Sequence, residues 1–300
     1  ADPVDMATGA FILEATDLQC GFPLPRGLSF HRSYNSNRSS DSSQGLGYGW
    51  THNMDIRATR RSAARAGLGE STPEQMAATY VSVMVAMDVF ANRTNAKDFA
   101  VTALASCWGI DQLRDNGVSV QMGNTAIEFV KMPNGGFVPP AGITMTLTEG
   151  SGGALDLAER HGNIHHFNAA GRITSTEDLH GAEATFGYDD VTVGGVTKTV
   201  LKTVTDDFGR QLVFTWSNGQ IEKVTETAGS LTRDVEFGYD AGRLTDATDP
   251  EGKTFQYGYD QNRIDSLTDG RGRIITENEY DAQGRVYEQR LHGDTNKTFQ

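Results

Sequence analysis

A short phrase recurs in this chain and limits its fold more than any other feature. It reads Tyr-Asp-Ala-Gly-Arg-Leu at 239–244, Tyr-Asp-Gln-Asn-Arg-Ile at 259–264 and Tyr-Asp-Ala-Gln-Gly-Arg-Val at 280–286. A variant, Phe-Asn-Ala-Ala-Gly-Arg-Ile, occupies 167–173. Each copy places turn-forming residues before an apolar one. A phrase of this kind predicts a repeated unit of supersecondary structure that packs against its neighbours.

A second pattern marks where the chain reverses. Six times an Asp or Asn is followed three residues later by Gly. The first side chain can bond the backbone two residues on, and Gly adopts positive φ without strain. Each pair therefore predicts a hairpin loop closed by a glycine bulge. We expect the arginine after such a glycine to bond a carboxylate or carbonyl of a neighbouring turn. The pairs are Asn168 and Gly171, Asp178 and Gly181, Asp206 and Gly209, Asp249 and Gly252, Asp269 and Gly272, and Asp281 and Gly284.

Tighter loops lie between these pairs. Residues 217–220, 240–243 and 260–263 are typical of two-residue hairpin loops in which Gly or Asn is left-handed. The segments between turns have the length of ordinary strands. Residues 117–300 are therefore predicted to form an antiparallel meander of β-hairpins, and the fold class is mainly β.

The strands of this meander have a recognisable pattern. Apolar and aromatic residues alternate along one face of three of them: Leu212, Phe214 and Trp216; Val235, Phe237 and Tyr239; and Phe255, Tyr257 and Tyr259. In the strands that follow, Ile221 and Val224, like Ile264 and Leu267, are three apart, which predicts a bulge. Together with the turn residues, we assign a structural role to the repeat tyrosines Tyr239, Tyr259 and Tyr280.

Residues 61–116 interrupt the β pattern with a predicted helical hairpin at about 72–116. Thr72-Pro73-Glu74-Gln75 resembles a capping box, Asn95 can cap a second helix, and Asn116-Gly117 can end it. We expect two apolar stripes to pack against the sheet; the alternative is a groove for an apolar partner. The stripes are Met76, Tyr80, Val83, Met84, Met87 and Phe90, then Phe99, Ala103, Cys107, Ile110 and Leu113.

Composition limits the partners. The net charge is −13 and no basic run exceeds Arg60-Arg61, which argues against nucleic acid. No run of about 18 apolar residues is present, so no membrane span is expected, and the N-terminus shows no export signal. Cys20 and Cys107 match no metal or redox spacing. We expect two semi-buried free thiols, with a disulfide as the alternative.

Several residues suggest chemistry but favour a structural interpretation. His161, His165 and His166 lack the ligands that complete a zinc site, and we expect an exposed polar strand pair. The glycine-rich stretch 45–50 lacks the helix of a phosphate loop and indicates a tight aromatic turn. His52 has no nucleophile placed beside it by any motif, and the repeat aspartates stand singly, unlike calcium ligands. No catalytic, metal or cofactor residue is assigned.

The Tyr-Asp-x-x-Gly-Arg phrase resembles that of the YD-repeat (rearrangement-hotspot, Rhs) proteins. Segments 2–9, 30–36 and 46–53 are similar to the leader module before the repeats in bacterial members. The resemblance implies a secreted or cell-surface bacterial protein whose repeats form a hollow β-shell, in several members around a C-terminal toxin. Implied partners are the rest of a longer chain, a toxin cargo or a cell-surface partner. Predicted domains are a leader at 1–60, the helical hairpin at 61–116 and the repeats at 117–300.

The leading functional hypothesis is a non-enzymatic segment of such a shell. A meander that does not close leaves unpaired strand edges, so identical copies could assemble into an extracellular filament. A third hypothesis is a cell-surface adhesin that binds glycans through exposed aromatic side chains, with Trp50, Trp216 and Tyr257 as candidates.

Overall fold

The computed structural model describes residues 3–61, 73–92, 95–113, 116–132, 134–291 and 297–298. Within these ranges the chain is mainly β, with two helices. Its contacts divide it into two compact units, each assembled from separate stretches of sequence. Unit 1 comprises Ala1–Ile56, Met122–Asn124 and Thr174–Gln300; unit 2 comprises Arg57–Gln121 and Thr125–Ile173.

The elements follow one another in a simple order. They are β1 (Ile12–Gly21), β2 (Gly27–Asn35), β3 (Trp50–His52), β4 (Ile56–Arg61), α1 (Pro73–Phe90), α2 (Ala96–Leu113), β5 (Gly117–Met122), β6 (Thr125–Lys131), β7 (Phe137–Val138), β8 (Thr146–Glu149), β9 (Leu155–Ala158), β10 (Ile164–Phe167), β11 (Ile173–Glu177), β12 (Glu183–Val193), β13 (Val196–Thr205), β14 (Gln211–Ser217), β15 (Gln220–Ala228), β16 (Leu231–Asp240), β17 (Arg243–Thr248), β18 (Thr254–Asp260), β19 (Arg263–Thr268), β20 (Ile274–Tyr280), β21 (Val286–Leu291) and β22 (Lys297–Thr298).

The leader strands of unit 1 form a small antiparallel sheet in the order β1-β2-β3. Strand β2 turns every second side chain to the interior, as a pleated strand must. These inward side chains are Leu28, Phe30, Arg32 and Tyr34, all almost fully buried. A charged guanidinium therefore lies among apolar neighbours.

The repeat strands of unit 1, from β11 to β22, form an antiparallel meander in which each strand pairs with the next along the chain. The predicted mainly β meander is confirmed. The predicted alternation is visible in β14, where Leu212 and Phe214 are buried, and in β16, where Val235 and Phe237 are buried. One face of the meander is thus an apolar core surface.

Unit 2 contains two groups of strands and the helices. Strands β4 to β7 form one sheet in sequence order, and β8, β9 and β10 pair as consecutive hairpins. Ion pairs join residues of different strands: Glu149 bonds both Arg60, at 2.7 Å, and Lys131, at 2.5 Å. The pKa of Glu149 is lowered, chiefly by the hydrogen bond from Lys131.

The helical hairpin of unit 2 consists of α1 and α2, which contact each other. Asn95 caps α2 as predicted: its Oδ1 accepts the amides of Lys97 at 3.0 Å and Asp98 at 3.1 Å. Thr72 of the predicted capping box lies outside the described residues. The predicted stop at Asn116-Gly117 is wrong, because Gly117 opens strand β5 with ordinary backbone angles.

The expected packing of the apolar helical stripes is wrong at most stripe positions whose side chains are described, although Met84 is half-buried. Val83 and Met87 of α1 are 51% and 62% exposed, and Ala103 of α2 is exposed too. Asp88 is buried instead and accepts a hydrogen bond from Thr102. The side chains of six predicted stripe residues lie outside the described set: Met76, Tyr80, Phe90, Phe99, Ile110 and Leu113.

Candidate functional site

The Asp-x-x-Gly turns have one repeated geometry. In the turn at Asp206, the backbone carbonyl accepts the amide of Gly209 at 3.0 Å, and Oδ1 accepts the amides of Phe208 and Arg210 at 2.9 and 3.0 Å. Gly209 has a φ of 73°. All six pairs make the same two side-chain bonds and carry a left-handed glycine. Each turn therefore closes its hairpin with local chemistry alone.

The arginine after these glycines behaves differently from expectation. We expected it to bond a neighbouring turn, yet Arg210, Arg273 and Arg285 bond the aspartate of their own turn. A four-residue separation brings the guanidinium back over the carboxylate, which explains the difference. In a two-residue loop, Arg243 does reach the next loop: its Nη1 donates to the carbonyl of Gln261 at 2.8 Å.

These contacts shift the acidity of the turns. The hydrogen bond from Arg273 lowers the pKa of Asp269 to about 2. Asp178 also has a pKa of about 2, mainly because Arg26 of the β1–β2 loop bonds it at 2.5 Å. For Asp281, the amide of Arg285 is the largest cause of a lowered pKa. Hydrogen bonds to the charged form favour that form, so these three side chains are held as carboxylates.

The two-residue loops are strongly left-handed. Asn218 and Gly219 have φ of 50° and 79°, and Ala241 and Gly242 have 48° and 81°. In the third loop the left-handed residue is Gln261, at 56°, and not the Asn262 that the sequence favoured. These loops turn the chain with the twist that hairpins prefer.

A bulge follows each two-residue loop, and the spacing of three predicted two of these bulges, those beside Ile221 and Ile264. The register shifts where Trp216 pairs with Ile221, where Tyr239 pairs with Leu244 and where Tyr259 pairs with Ile264. One residue of the second strand is left without a ladder partner in each case. Backbone amides and carbonyls beside the bulge can therefore bond groups outside the strand ladder. Two parts of unit 1 supply these bonds: the tyrosine of the next repeat and the leader.

The first partner is the tyrosine of the next repeat. Tyr239 donates its hydroxyl to the carbonyl of Ile221 at 2.6 Å. Tyr259 donates to Leu244, and Tyr280 to Ile264, both at 2.7 Å. In each case the acceptor residue is the strand partner of the aromatic residue one repeat earlier: Ile221 pairs with Trp216, Leu244 with Tyr239, and Ile264 with Tyr259. The repeat tyrosine thus ties one hairpin to the one before it.

The second partner is the leader. The amide of Ile221 donates to the carbonyl of Gly45 at 2.8 Å, and that of Val286 to Gly9 at 2.9 Å. The amide of Ile264 donates to the hydroxyl of leader Tyr34 at 3.0 Å. The leader therefore supplies hydrogen-bond acceptors at three points along the repeats.

The glycine-rich stretch 45–50 explains how the leader backbone comes so close. Gly45 and Gly47 are left-handed, with φ of 82° and 86°. A Cβ on Gly45 would lie 2.5 Å from the ring of Trp216, and one on Gly47 would lie 2.7 Å from the carbonyl oxygen of Gly242. The stretch is a contact surface for the repeats.

Arg32 is the centre of the interface between leader and repeats. It is 2% exposed, bonds Asp17 through two nitrogens at 2.7 and 3.0 Å, and donates to the hydroxyl of Tyr257 at 2.8 Å. Its guanidinium also lies over the rings of Trp50 and Phe237, at 4.9 and 5.4 Å. Burial alone would lower the pKa of Arg32, but Tyr257 and Asp17 outweigh burial and raise it. The charge is therefore retained inside the core.

Aromatic side chains surround this cation. Trp50 packs edge-on against Tyr257, with ring centroids 5.1 Å apart, and donates its indole N–H to the hydroxyl of Tyr259 at 3.0 Å. Leader Phe30 contacts Phe214 and Phe237 at 5.7 and 6.1 Å. Burial raises the pKa of Tyr257 and Tyr259, so both keep their protons over the ordinary pH range.

The other residues that suggested chemistry have varied surroundings. His52 packs between Phe30 and Phe214, at 5.5 and 6.0 Å. The expected exposed histidine pair is wrong for His165, which is buried, lies 3.3 Å from Glu159 and has a pKa lowered by burial. His166 lies 2.7 Å from Asp156. Among the described residues, no group of three His, Cys, Asp or Glu could hold a metal ion.

The two cysteines are free. Cys20 is half-buried and accepts a hydrogen bond from Arg210 at 3.7 Å. Cys107 is exposed, so the expectation of a semi-buried thiol is wrong there.

A groove of about 250 Å³ lies on unit 1 across β19, β20 and β21. Four carboxylates line it together with Arg290, which bonds Glu279 at 3.2 Å and Glu288 at 3.0 Å. Glu279 and Glu288 face each other across the strands, and Arg290 offsets their repulsion.

In the described part of the chain, neither helix is long and apolar enough to cross a bilayer.

The adhesin hypothesis requires exposed aromatic side chains, and the structure contradicts it at its candidate residues. Trp50 is 1% and Tyr257 is 6% exposed, and Trp216 is half-buried. Trp216 donates its indole N–H to the carbonyl of Leu201 at 2.7 Å, in the manner of a repeat tyrosine. These residues form the core of unit 1 and do not present a glycan-binding patch.

The contact between leader and repeats was not predicted from the sequence. Bulges were predicted, but the leader groups that bond the peptide groups beside them lie up to 277 residues away in sequence, as Gly9 does from Val286. The only available signal was the glycine-rich stretch 45–50, since alternating glycines beside aromatic residues indicate close backbone approach.

Comparisons with known proteins give partial matches. Residues 1–80 match a family model described as a domain of unknown function (DUF6531), and residues 238–274 match the RHS repeat. A search of curated proteins gives no match.

Three solved structures are similar at low identity. The crystal structure of TcdB2-TccC3-TEV is 14% identical with a TM-score of 0.31, over 58% of this chain and 12% of that one. That of TcdB2-TccC3-Cdc42 is 13% identical with a TM-score of 0.32, over 59% and 12%. A Photorhabdus luminescens Tc holotoxin pore with a mutant TccC3 is 11% identical with a TM-score of 0.29, over 62% and 16%. The matched region is thus a small part of each of those chains.

Proposed function

We propose that the chain is a non-enzymatic wall segment of a larger secreted or cell-surface bacterial protein of the YD-repeat (Rhs) family, whose repeat model matches residues 238–274. In this proposal the role of the chain is structural. Hairpins pair edge to edge, and the leader covers one face of them. The partners of this segment are then the rest of its own longer chain and whatever that chain encloses.

One observation carries this proposal: the bulge beside each two-residue loop is used for assembly. The carbonyl of Ile264 accepts from Tyr280 of the next repeat, and its amide donates to Tyr34 of the leader. The same residue thus connects two repeats and the leader. Peptide groups committed in this way favour a rigid wall over a surface that binds and releases small molecules.

The resemblance of the repeat phrase to Rhs proteins supports a finer proposal. In such a protein the wall encloses a polypeptide cargo, of which a C-terminal toxin is one kind. The leader–repeat interface around Arg32 would then keep the wall closed. Neither a cofactor nor a metal is needed for this role.

Protease protection in the intact natural protein tests the proposal. We expect a polypeptide segment that resists digestion in the native protein and becomes sensitive when Arg32→Ala loosens the interface. Arg290→Ala is the matched control, because that side chain is 44% exposed and its ion pairs are with Glu279 and Glu288 of the repeat strands. A native protein with no protected segment beyond its own repeats would contradict enclosure. Equal protection in both variants would contradict the role of the interface.

The filament hypothesis remains a prediction. Strand addition at an open edge would give particles that grow with concentration. Sedimentation velocity of the chain distinguishes this behaviour from a discrete species.

A further inference from the structure

The repeats offer the leader nearly identical backbone contacts. Ile221, Leu244, Ile264 and Val286 occupy equivalent positions, because each pairs with the aromatic residue that precedes its loop or turn. Three of their amides donate to leader acceptors, and the fourth, that of Leu244, would lie 3.0 Å from a Cβ on Gly47. A leader displaced by one whole repeat would therefore meet the same kind of backbone groups. Backbone contacts alone do not select the register.

The side chains at one position of the repeat do differ. This position lies two residues before the aromatic residue, and it is buried in all four of these repeats. Its occupants, in chain order, are Phe214, Phe237, Tyr257 and Asn278. The position two residues earlier changes in the same direction, from Leu212 and Val235 to Thr276. The inward face of the repeats thus becomes more polar along the chain.

The inward side chains of leader strand β2 follow the same trend. They are, in chain order, Leu28, Phe30, Arg32 and Tyr34. Phe30 packs against the two phenylalanines of the earlier repeats, with ring centroids 5.7 and 6.1 Å apart. The guanidinium carbon of Arg32 is 5.4 Å from the ring centroid of Phe237 and 5.5 Å from that of Tyr257. The Tyr257 hydroxyl accepts an N–H of Arg32 at 2.8 Å, so polar meets polar in the observed register.

We propose that Arg32 and the hydroxyl of Tyr257 select the register in which the leader docks on the repeats. Of the four residues at this position, Tyr257 is the one that carries a hydroxyl on an aromatic ring. Buried polar contacts can specify one pairing among similar ones, as a polar residue does in a coiled-coil core. The role concerns how the wall segment closes on itself, so it holds whether or not the longer protein encloses a cargo.

Displacement of the leader in either direction carries a cost. One repeat toward the N-terminus, Arg32 would meet two phenylalanine rings, and a buried guanidinium N–H would lose its hydroxyl acceptor. One repeat toward the C-terminus, Arg32 would meet Asn278 in place of a phenylalanine. The side chain of Asn278 already donates to the carbonyl of Ile264 at 3.1 Å and accepts from Gln289 at 2.7 Å. The observed register therefore avoids an unsatisfied buried donor.

An apolar replacement of the contact separates register from stability. In Asp17→Leu/Arg32→Met/Tyr257→Phe the buried ion pair is absent, so we expect a urea midpoint at or above that of the parent chain. We also expect two populations in hydrogen exchange of the full chain. A leader displaced by one repeat leaves the amide of either Ile221 or Val286 without its leader acceptor, and that amide loses protection.

Moving the hydroxyl by one repeat is a second test, and it does not require the first variant to fold. In Phe237→Tyr/Tyr257→Phe the composition is unchanged, but the hydroxyl lies one repeat closer to the N-terminus. A leader displaced in that direction regains the bond of Arg32. We expect a fraction of molecules in which the amide of Val286 loses protection, because its leader acceptor has moved one repeat away.

Tyr280→Phe is the matched control. Its hydroxyl bonds the carbonyl of Ile264 at 2.7 Å, so its loss should lower the urea midpoint, but the contact of Arg32 is retained and one population should remain. Two populations in Tyr280→Phe would overturn the proposal, because any loss of stability would then suffice. A single population in both redesigned variants, with parent-like exchange at Ile221 and Val286, would also overturn it and assign the register to the chain segment that joins leader and repeats.

Discussion

At the scale of single residues, the turn residue and the tyrosine of the repeat phrase have different roles. The aspartate or asparagine of a turn bonds amides two and four residues on, so its role can be predicted from the sequence. The tyrosine bonds a carbonyl 15 to 18 residues earlier. That acceptor is defined only once the strands are in register and the bulge is placed. Local chemistry therefore predicts the turns, but the tyrosines could be identified only as repeat residues.

Removing one tyrosine hydroxyl tests this link. Tyr259→Phe leaves the Leu244 carbonyl and the Trp50 indole N–H without their partner, and both are in or near the core. We expect a loss of about 2 kcal/mol in the free energy of unfolding, measured by urea denaturation. Tyr287→Phe is the control, since that ring is 39% exposed and should change stability by less than about 0.5 kcal/mol. Equal effects of the two substitutions would refute the link.

The turn carboxylates should make unit 1 sensitive to acid. The pKa of Asp269 falls from 3.8 to about 2 on folding, so its contribution is complete above pH 3.8 and is lost as pH falls through about 2. Asp269→Asn keeps an acceptor for the two turn amides, as Asn168 does naturally, but has no charge to titrate. We expect a smaller fall in the urea midpoint between these pH values in Asp269→Asn than in the parent chain.

A second turn serves as the control for the acid measurement. Asp249 makes the same two backbone bonds, while the neighbouring Lys253 bonds Glu251. Asp249→Asn makes the same exchange of a carboxylate for an amide, so its urea midpoint at neutral pH is the reference for the effect of that exchange on stability. Identical profiles for the parent and Asp269→Asn would show that the arginine contact has no effect on stability.

At the scale of elements, strands and turns were predictable because their causes are local. Period-two alternation and glycine placement required no knowledge of distant contacts. The helices were predictable in position for the same reason, since Asn95 caps its own chain. The surface that the helices pack against was not predictable from the sequence. An apolar stripe such as Val83 and Met87 has the same spacing whether it is covered within the chain or by a partner. The role of stretch 45–50 depends on repeats that lie far along the chain.

Alanine substitution distinguishes a leader glycine from an ordinary turn glycine by its effect on stability. Gly47 and Gly252 are both left-handed, with φ of 86° and 79°. A Cβ on Gly47 would lie 2.7 Å from a backbone oxygen, whereas no atom lies within 4 Å of one on Gly252. Gly252→Ala should cost about 1 kcal/mol from backbone strain. Gly47→Ala should cost about 1 to 3 kcal/mol more, because the backbone must move.

Urea denaturation of the two alanine variants measures this difference directly. Both sites belong to unit 1, so the same transition reports on both. Equal losses of stability would mean that the leader loop does not depend on close approach to the repeats.

At the scale of the whole molecule, the two units show how sequence order and folded order differ. The first 56 residues belong to the same unit as the repeats from 174 onward, with most of unit 2 between them in sequence. Hydrophobic contacts across such a separation make the leader and the repeats one cooperative structure. A chain read in order suggests successive modules, whereas the core around Arg32 is built from both ends of unit 1.

This cooperativity can be measured at Arg32. Arg32→Ala leaves the nearly buried carboxylate of Asp17 without its guanidinium, and we expect a loss of about 3 to 5 kcal/mol. Asp17→Ala/Arg32→Ala should recover part of that loss, because no uncompensated charge remains. Hydrogen exchange should show faster exchange at the amides of Ile221, Ile264 and Val286, whose acceptors belong to the leader. The amide of Asp206, bonded within its own turn, is the internal reference, and unchanged exchange at the three leader-dependent amides would show that the repeats fold without the leader.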